Sequence, residues 1–510
     1  MEKLIKLPEP RLLFGFDQKI EDPRDGLTLF GPLDDGSPYG IRAGVIGTRS
    51  GIECFKRWVT WLQQPVFTPE PNIARPPFPG FAAAFRIPWH PKPFLEIEID
   101  EDELKRRVLL DNKFQRVYGA VSLYVDPLIA AKRDEEKQPD MWFIVIPDFV
   151  KRYCRPQANV ETALRITAPK SFGKVSLARR SGSEPFLFGE LNDDAEPYFF
   201  KEHFRAQLKA RLLEHIIPTQ VVTEGVLSNV GKWGNEGVAK NDAIQQPAIA
   251  WHLGTAAFYK SGGRPWKVAD IREGVCYIGL VFKQDARSGN PRYACCAAQM
   301  FLDSGDGLIF KRADGDWYWP DRKEFHLNRE AARELIKLAI ASYKKEQRDK
   351  KPADRKPPRE IFIHGKVKFD YEEWRGFEEA AGTETNIVGI KIRDDASLKL
   401  YRKSDNPVLR GTAYVRDERS ALLWTRGWTP RLRTYPGREV PNPLSIEVCQ
   451  GQARIETVLT DIQALTKLNY NACVFGDGQP ITLKFADAVG EVLTAGPIKD
   501  NPPLPFRYYI

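Results

Sequence analysis

Short apolar runs alternate with amphipathic stretches through the first half of the chain. The runs at residues 39–48, 141–150 and 219–226 have strand length and are rich in β-branched and aromatic side chains. Between them, residues 51–62, 101–110, 198–217 and 246–259 repeat apolar side chains at the spacing of one helix face. Such β/α alternation predicts a doubly wound, mostly parallel sheet. Residues 156–196, rich in Ser, Gly, Arg and acidic side chains, read as a long surface loop or insertion.

The texture changes after Gly262-Gly263-Arg264-Pro265. Strands are predicted at residues 275–282 and 292–302, followed by a helix capped by Asn328 that runs to about residue 345. Residues 344–359, charged and bearing prolines, form a solvated loop in this reading. Further strands fall at 360–364, 385–393, 398–402, 412–415 and 444–448. A helix over 453–468 carries Ile455, Leu459, Ile462 and Leu465 on one stripe, and another spans about 483–494. Several strands followed by two helices predict a mixed sheet packed by helices, an order compatible with an RNase H-like layer.

At 510 residues the chain is too long for one core, and two to four domains are expected. No run of 18 or more apolar residues occurs, and the first residues, MEKLIKLPEPRLLFG, lack a signal-peptide pattern, so a cytoplasmic location and no membrane partner are expected. Seven scattered cysteines fit a reducing compartment, and none has zinc-ligand spacing. The net charge of +8 is a weak pointer to polyanions. Position along the chain has to identify where an anion would bind.

The stretch 198–217 is the most informative. Phe200, Phe204, Leu208 and Leu212 make its buried stripe, while Arg205 and Lys209, four apart, share a face rotated by about 100°. Like charges at that spacing repel by a few tenths of a kcal/mol unless an anion joins them. Downstream lie Gln220, which offers both a donor and a carbonyl oxygen, and Lys260, beside glycines that let backbone approach closely. Three cations and a Gln can surround one terminal phosphate. A solvated basic helix face is the competing reading of the same spacing.

The order Arg205-x3-Lys209, Ile217-Pro-Thr-Gln220, Tyr259-Lys-Ser-Gly-Gly263 resembles the 5′-phosphate pocket of Argonaute MID domains. The second half resembles a PIWI domain, from Tyr277-Ile-Gly-Leu280 through Leu465-Thr-Lys-Leu-Asn-Tyr-Asn471 and Pro480-Ile-Thr-Leu-Lys-Phe-Ala486 to the closing Pro505-Phe-Arg-Tyr-Tyr-Ile510. Asp22-Pro-Arg-Asp-Gly-Leu27, Phe30-Gly31-Pro32 and Cys295-Cys296-Ala-Ala-Gln-Met-Phe-Leu-Asp303 extend the resemblance over nearly the whole chain. With no room for N and PAZ domains, it is similar to short prokaryotic Argonautes, in particular the Argonaute subunit of SPARTA systems. The resemblance implies an α/β fold with a Rossmann-like MID domain at residues 1–265 and an RNase H-like PIWI domain at 266–510, whose sheet the first residues can join. It further implies a guide RNA held by Arg205, Lys209, Gln220 and Lys260, with Mg²⁺ on Gln220 and the terminal carboxylate of Ile510. A single-stranded DNA target and a heterodimeric TIR-APAZ protein, which hydrolyses NAD once target binds and assembles further, complete the implied defence system.

PIWI nucleases need clustered carboxylates to hold two divalent ions. Where the resemblance puts them, the chain has Val281 on the opening strand, Gly365-Lys366-Val367 after the strand ending at His364, and Asp487. A lysine repels the ions such a site must bind, and one carboxylate cannot hold two metals. No catalytic residue, and hence no cleavage of the target by this chain, is expected. The alternatives are a guided RNase H-like nuclease with displaced carboxylates, or the same sensor paired with a sirtuin-like or nuclease effector. Asp303, Asp306 and Asp370 are expected in surface turns, His203 on a solvated helix position, and His364 as a packing or capping residue. The aromatic groups at residues 317–319 and 424–428 suit either base stacking, a partner surface or the core.

Overall fold

The computed structural model describes residues 2–169, 189–228, 240–284, 293–302, 307–319, 323–347, 351–435, 437, 439–497 and 503–510. Strand β1 (Lys3–Lys6) pairs antiparallel with residues Thr412–Val415, so the first residues belong to the sheet of the second half. The chain then builds an N-terminal layer from β2 (Ala43–Gly47), α1 (Arg49–Leu62), β3 (Leu95–Glu98), α2 (Lys113–Asp134), β4 (Met141–Ile146), α3 (Phe204–Leu213), β5 (Thr219–Thr223) and α4 (Lys240–Lys260). The four strands are parallel in the order β3-β2-β4-β5. Every residue of β2 and β4 is buried, as expected for central strands covered on both faces.

Three features of this layer differ from the sequence expectation. Strand β4 stops at Ile146 because Pro147 precedes a short helix, Asp148–Tyr153. The helix expected over 198–217 is only α3: a 3-10 turn with Pro197 covers Glu196–Phe199, Phe200 is extended, and the His203 ring accepts a hydrogen bond from the Ala206 amide at the α3 N-terminus. His203 is therefore a cap and not a solvated helix position. Helix α2 was not expected, although Val117, Ala120, Val121, Tyr124, Val125 and Leu128 make a helical stripe. It lies beside α3, with the Tyr124 and Phe204 rings edge to face at 5.4 Å.

The second layer contains β6 (Val275–Gln284), β7 (Tyr293–Leu302), β8 (Gly307–Asp316), α5 (Arg329–Glu346), β9 (Glu360–Gly365), α6 (Tyr371–Ala381), β10 (Asn386–Asp394), β11 (Thr412–Val415), β12 (Ser420–Trp424), β13 (Leu444–Gln450), α7 (Ile455–Leu465), α8 (Ala486–Leu493) and β14 (Leu504–Pro505). They form one ten-stranded sheet in the order β1-β11-β12-β13-β10-β9-β6-β7-β8-β14. Only β10, β9 and β6 run parallel, so their C-terminal ends share one edge. Asn328 caps α5 through its side-chain oxygen, 2.8 Å from the Ala331 amide. Residues 398–402 are not a strand: Leu398 and Tyr401 are exposed, and no neighbouring strand supplies a ladder. The helix expected at 483–494 is split by Phe485 into Ile481–Lys484 and α8.

One apolar core runs through both layers, from Leu7 and Phe14 to Phe506 and Ile510. Trp266 links them, donating through its indole nitrogen to the Lys467 carbonyl at 3.1 Å while its own carbonyl accepts from the Tyr470 hydroxyl at 2.7 Å. A shared core of this kind holds the tail against the N-terminal layer.

Candidate functional site

Four segments converge beside the N-terminal end of β5. Helix α3 buries Phe204, Leu208 and Leu212 against α2, and this rotation turns Lys209 inward toward β5, where only 2% of it is exposed. Strand β5 opens with Thr219 and Gln220 directly after Pro218. Helix α4 ends in Lys260, also 2% exposed. It ends there because Gly262 takes φ +112°, which only glycine adopts without strain. The last segment is the tail: β14 pairs with β8, a 3-10 turn follows at Phe506–Tyr508, and Ile510 is fully buried. Packing of Phe506 against Phe301 and Phe485 anchors this turn.

The Lys209 ammonium donates to the backbone oxygen of Ile510 at 2.6 Å and to the Thr219 carbonyl at 3.3 Å. Lys260 donates to the same Thr219 carbonyl at 3.0 Å and to Gln220 Oε1 at 2.7 Å. No Asp or Glu side chain pairs with either lysine among the described residues. Desolvation pulls both ammoniums well below the usual lysine pKa, and mutual repulsion adds to it: Lys260 and Arg205 act on Lys209, and Arg205 acts on Lys260. Arg205 is exposed, within electrostatic reach of both lysines, and also feels the charge of Glu491 on α8. Two buried, mutually repelling ammoniums leave an excess of positive charge that an anion would relieve. A cavity of about 220 Å³ adjoins Lys260, lined by Trp142, Pro218, Ser261, Arg507 and Tyr508.

The sequence had singled out Arg205, Lys209, Gln220, Lys260 and Ile510; the structure joins the last four by hydrogen bonds and puts Arg205 within electrostatic reach of both lysines. It adds Thr219, whose carbonyl is the acceptor both ammoniums share. A main-chain acceptor leaves no side-chain signal, which is why sequence reading passed over it. Gln220 Oε1 and the Ile510 oxygen are hard donors of the kind Mg²⁺ takes alongside phosphate oxygens and water. They fit such an ion only with an anion present, since each already accepts from an ammonium.

The second set of positions lies at the edge shared by the C-terminal ends of β6 and β9. Val281 is on β6, paired through backbone with Ala297 of β7. Lys366 follows the end of β9 and stands 3.7 Å from Asp487 Oδ2 in the first turn of α8. Among the described residues no group of three His, Cys, Asp or Glu side chains is arranged to hold a metal ion. His364 is fully buried behind this edge, its Nδ1 2.9 Å from Thr482 Oγ1, and burial pulls its pKa down to about 3. Asp370 is not in a surface turn: it is buried and caps α6 in a reciprocal capping box with Glu373. Asp303 and Asp306 lie outside the described residues. Trp317 and Trp424 are core side chains, the latter donating to the Pro441 carbonyl.

No protein-family model matches the chain, and no curated protein matches it in sequence. Its fold, however, matches solved Argonaute and Piwi structures over its whole length. Clostridium butyricum Argonaute, solved bound to a guide DNA and a 19-mer target DNA, is 14% identical with a TM-score of 0.61, covering 100% of this chain and 55% of that one. Drosophila Piwi is 14% identical with a TM-score of 0.58, covering 99% and 56%. Aquifex aeolicus Argonaute is 14% identical with a TM-score of 0.52, covering 99% and 57%. The chain thus spans little more than half the length of these proteins. It has an Argonaute-like α/β fold, with the parallel layer corresponding to a Rossmann-like MID domain and the ten-stranded sheet to an RNase H-like PIWI domain.

Proposed function

We propose that this chain binds the 5′-phosphate of a short guide RNA and uses the guide to sense a complementary single-stranded DNA, leaving that strand uncut. The observation that carries the reading is the convergence of Lys209, Lys260, Gln220 and the Ile510 oxygen, two buried cations with no acidic side-chain partner, on one spot of an Argonaute-like fold. A terminal phosphate near pH 7 carries close to two charges and three acceptor oxygens, enough to replace the acceptors the lysines now use. Mg²⁺ arriving with the phosphate would sit on Gln220 and the Ile510 oxygen and offset charge that the lysines leave unmatched.

Duplex recognition then runs through the backbone, with sequence delegated to base pairing. The Lys366–Asp487 pair, in the region where a PIWI nuclease holds carboxylates for two ions, supports sensing without cleavage. The output reaction belongs, in this proposal, to a TIR-APAZ protein bound as a heterodimer in the cytoplasm, which hydrolyses NAD and assembles further when target is present. That step rests on the resemblance to SPARTA subunits set out above.

The test compares guides with a 5′-phosphate and a 5′-hydroxyl, each as RNA and DNA, on the unmutated chain and on Arg205→Ala/Lys209→Ala. The phosphorylated guide is expected to bind more tightly to the unmutated chain, and the double variant to lose that advantage by about 10- to 1,000-fold, at roughly 1.5–3 kcal/mol for each charge-assisted hydrogen bond. Equal binding of both guides by the unmutated chain rules out the pocket. Target fragments appearing with Mg²⁺ or Mn²⁺ rule out the non-cutting reading.

A further inference from the structure

The edge where the C-terminal ends of β6 and β9 meet carries lysines in place of a metal site. Lys283 is near the end of β6, and Lys366 follows β9 directly. Their side chains are 31% and 54% exposed, and each is matched by a carboxylate of α8: Lys366 to Asp487 at 3.7 Å, Lys283 to Glu491 at 3.8 Å. Asp487 and Glu491 are four residues apart, hence on one face of α8, where two like charges repel unless cations lie opposite. The helix is seated close: a Cβ at Gly490 would come 2.9 Å from Lys283 Cβ. A third lysine, Lys368, reaches Glu447 of β13 at 2.6 Å. Ligands of open α/β sheets bind in the crevice outside the carboxyl ends of parallel strands, and that crevice is here rimmed by lysine.

These pairs are loose by comparison with the buried lysines of the phosphate pocket. Ion pairs at this distance and exposure add little to stability, so an incoming anion displaces the carboxylates at small cost. Glu491 also acts on Arg205, so α8 spans the gap between Arg205 and the strand ends.

We infer that Lys283 and Lys366 form a metal-independent seat for the sugar–phosphate backbone of a guide–target duplex, with Asp487 and Glu491 holding them until a phosphate takes over. The inference rests on the proposed guide-binding function and deepens it. A lysine here supplies the positive charge that a divalent ion supplies in a nuclease, without activating water, so the duplex is gripped and not cut. The carboxylates compete with the duplex, which gives them a sign opposite to that of the lysines.

The experiment loads the full chain with 5′-phosphorylated guide and measures target affinity against salt concentration, in EDTA and in Mg²⁺. Lys283→Ala/Lys366→Ala is expected to weaken target binding about tenfold and to flatten the log–log salt slope by about two, one for each phosphate no longer neutralised. Lys283→Arg/Lys366→Arg should restore both, showing that the alanine variant lost charge and not its fold. Asp487→Asn/Glu491→Gln should tighten target binding several-fold, and none of these effects should depend on Mg²⁺. Guide loading should stay unchanged in the lysine variants. Unaltered affinity and slope in the alanine variant, or weaker binding in the carboxylate variant, overturns the inference. An unmutated chain that fails to hold a phosphorylated guide sinks the underlying reading, and this one with it.

Discussion

Two pairs of lysines on this chain sit in opposite circumstances. Lys209 and Lys260 are 2% exposed, donate to the same Thr219 carbonyl and have no Asp or Glu side chain beside them among the described residues, whereas Lys283 and Lys366 are 31% and 54% exposed and each faces a carboxylate side chain. Burial without an acidic side-chain partner is costly, so the first pair suits an anion held at a fixed position. Exposure with a weak partner costs little, so the second pair suits an anion that comes and goes along a backbone. In the proposed function, the difference separates anchoring a guide end from following a duplex.

The largest effect that can break this comparison comes from Lys209→Met/Lys260→Met. Affinity for a 5′-phosphorylated guide should drop by about 100-fold or more, at roughly 1.5–3 kcal/mol for each charge-assisted hydrogen bond removed. The melting temperature of the empty chain should change little, because losing two buried, mutually repelling ammoniums offsets the loss of their hydrogen bonds to Thr219, Gln220 and Ile510. Calorimetry showing a collapsed fold would instead make these lysines structural.

Gln220→Ala comes next, with a loss of about tenfold, the size of one hydrogen bond to a charged group. Chelating Mg²⁺ should weaken guide binding to the unmutated chain more than to this variant; equal sensitivity would place the ion elsewhere.

The pH dependence of guide binding should be milder. The folded pKa of both pocket lysines lies below the usual value, so their charged form costs the empty chain stability, and that cost lessens as pH rises above the lowered values toward the ordinary 10.5. Phosphate restores the charged form. The advantage of a phosphorylated over a hydroxyl guide should therefore shrink as pH rises, with proton uptake on binding measurable in buffers of different ionisation enthalpy.

The smallest effect concerns two buried histidines, His364 behind the strand edge and His252 on α4. His364 and His252 are buried neutral, with pKa values pulled down by burial to about 3 and about 4. The unfolded chain takes up their protons below the ordinary value of 6.5, so stability should fall as pH drops from 6.5 toward 4. Urea midpoints across that window test it, and His364→Gln should flatten the slope.

Much of the cluster around Lys209 and Lys260 was legible in the sequence because its parts lie at helix and strand boundaries with local signals. The i, i+4 spacing of Arg205 and Lys209, Pro218 before Gln220, and the glycines after Lys260 each mark an end where side chains gather. What sequence could not show was the direction in which these groups point, since the inward turn of Lys209 follows from packing of α3 against α2, a helix the periodicity reading passed over despite its apolar stripe. The role of Thr219 was hidden because a backbone carbonyl is chemically the same in every residue. At the strand edge, Val281, Lys366 and Asp487 were recognised one by one, but the pairing of Lys283 with Glu491 depends on where α8 lies across β6, which no local pattern encodes. Residues 398–402 failed for the converse reason, an apolar pattern with no strand beside it.

The most direct measurement is a structure of this chain with a 5′-phosphorylated guide oligonucleotide. The account places the terminal phosphorus within hydrogen-bonding reach of Lys209, Lys260 and Gln220, beside the Ile510 oxygen. A guide whose 5′ end lies elsewhere, with both ammoniums still on the Thr219 carbonyl, would contradict it.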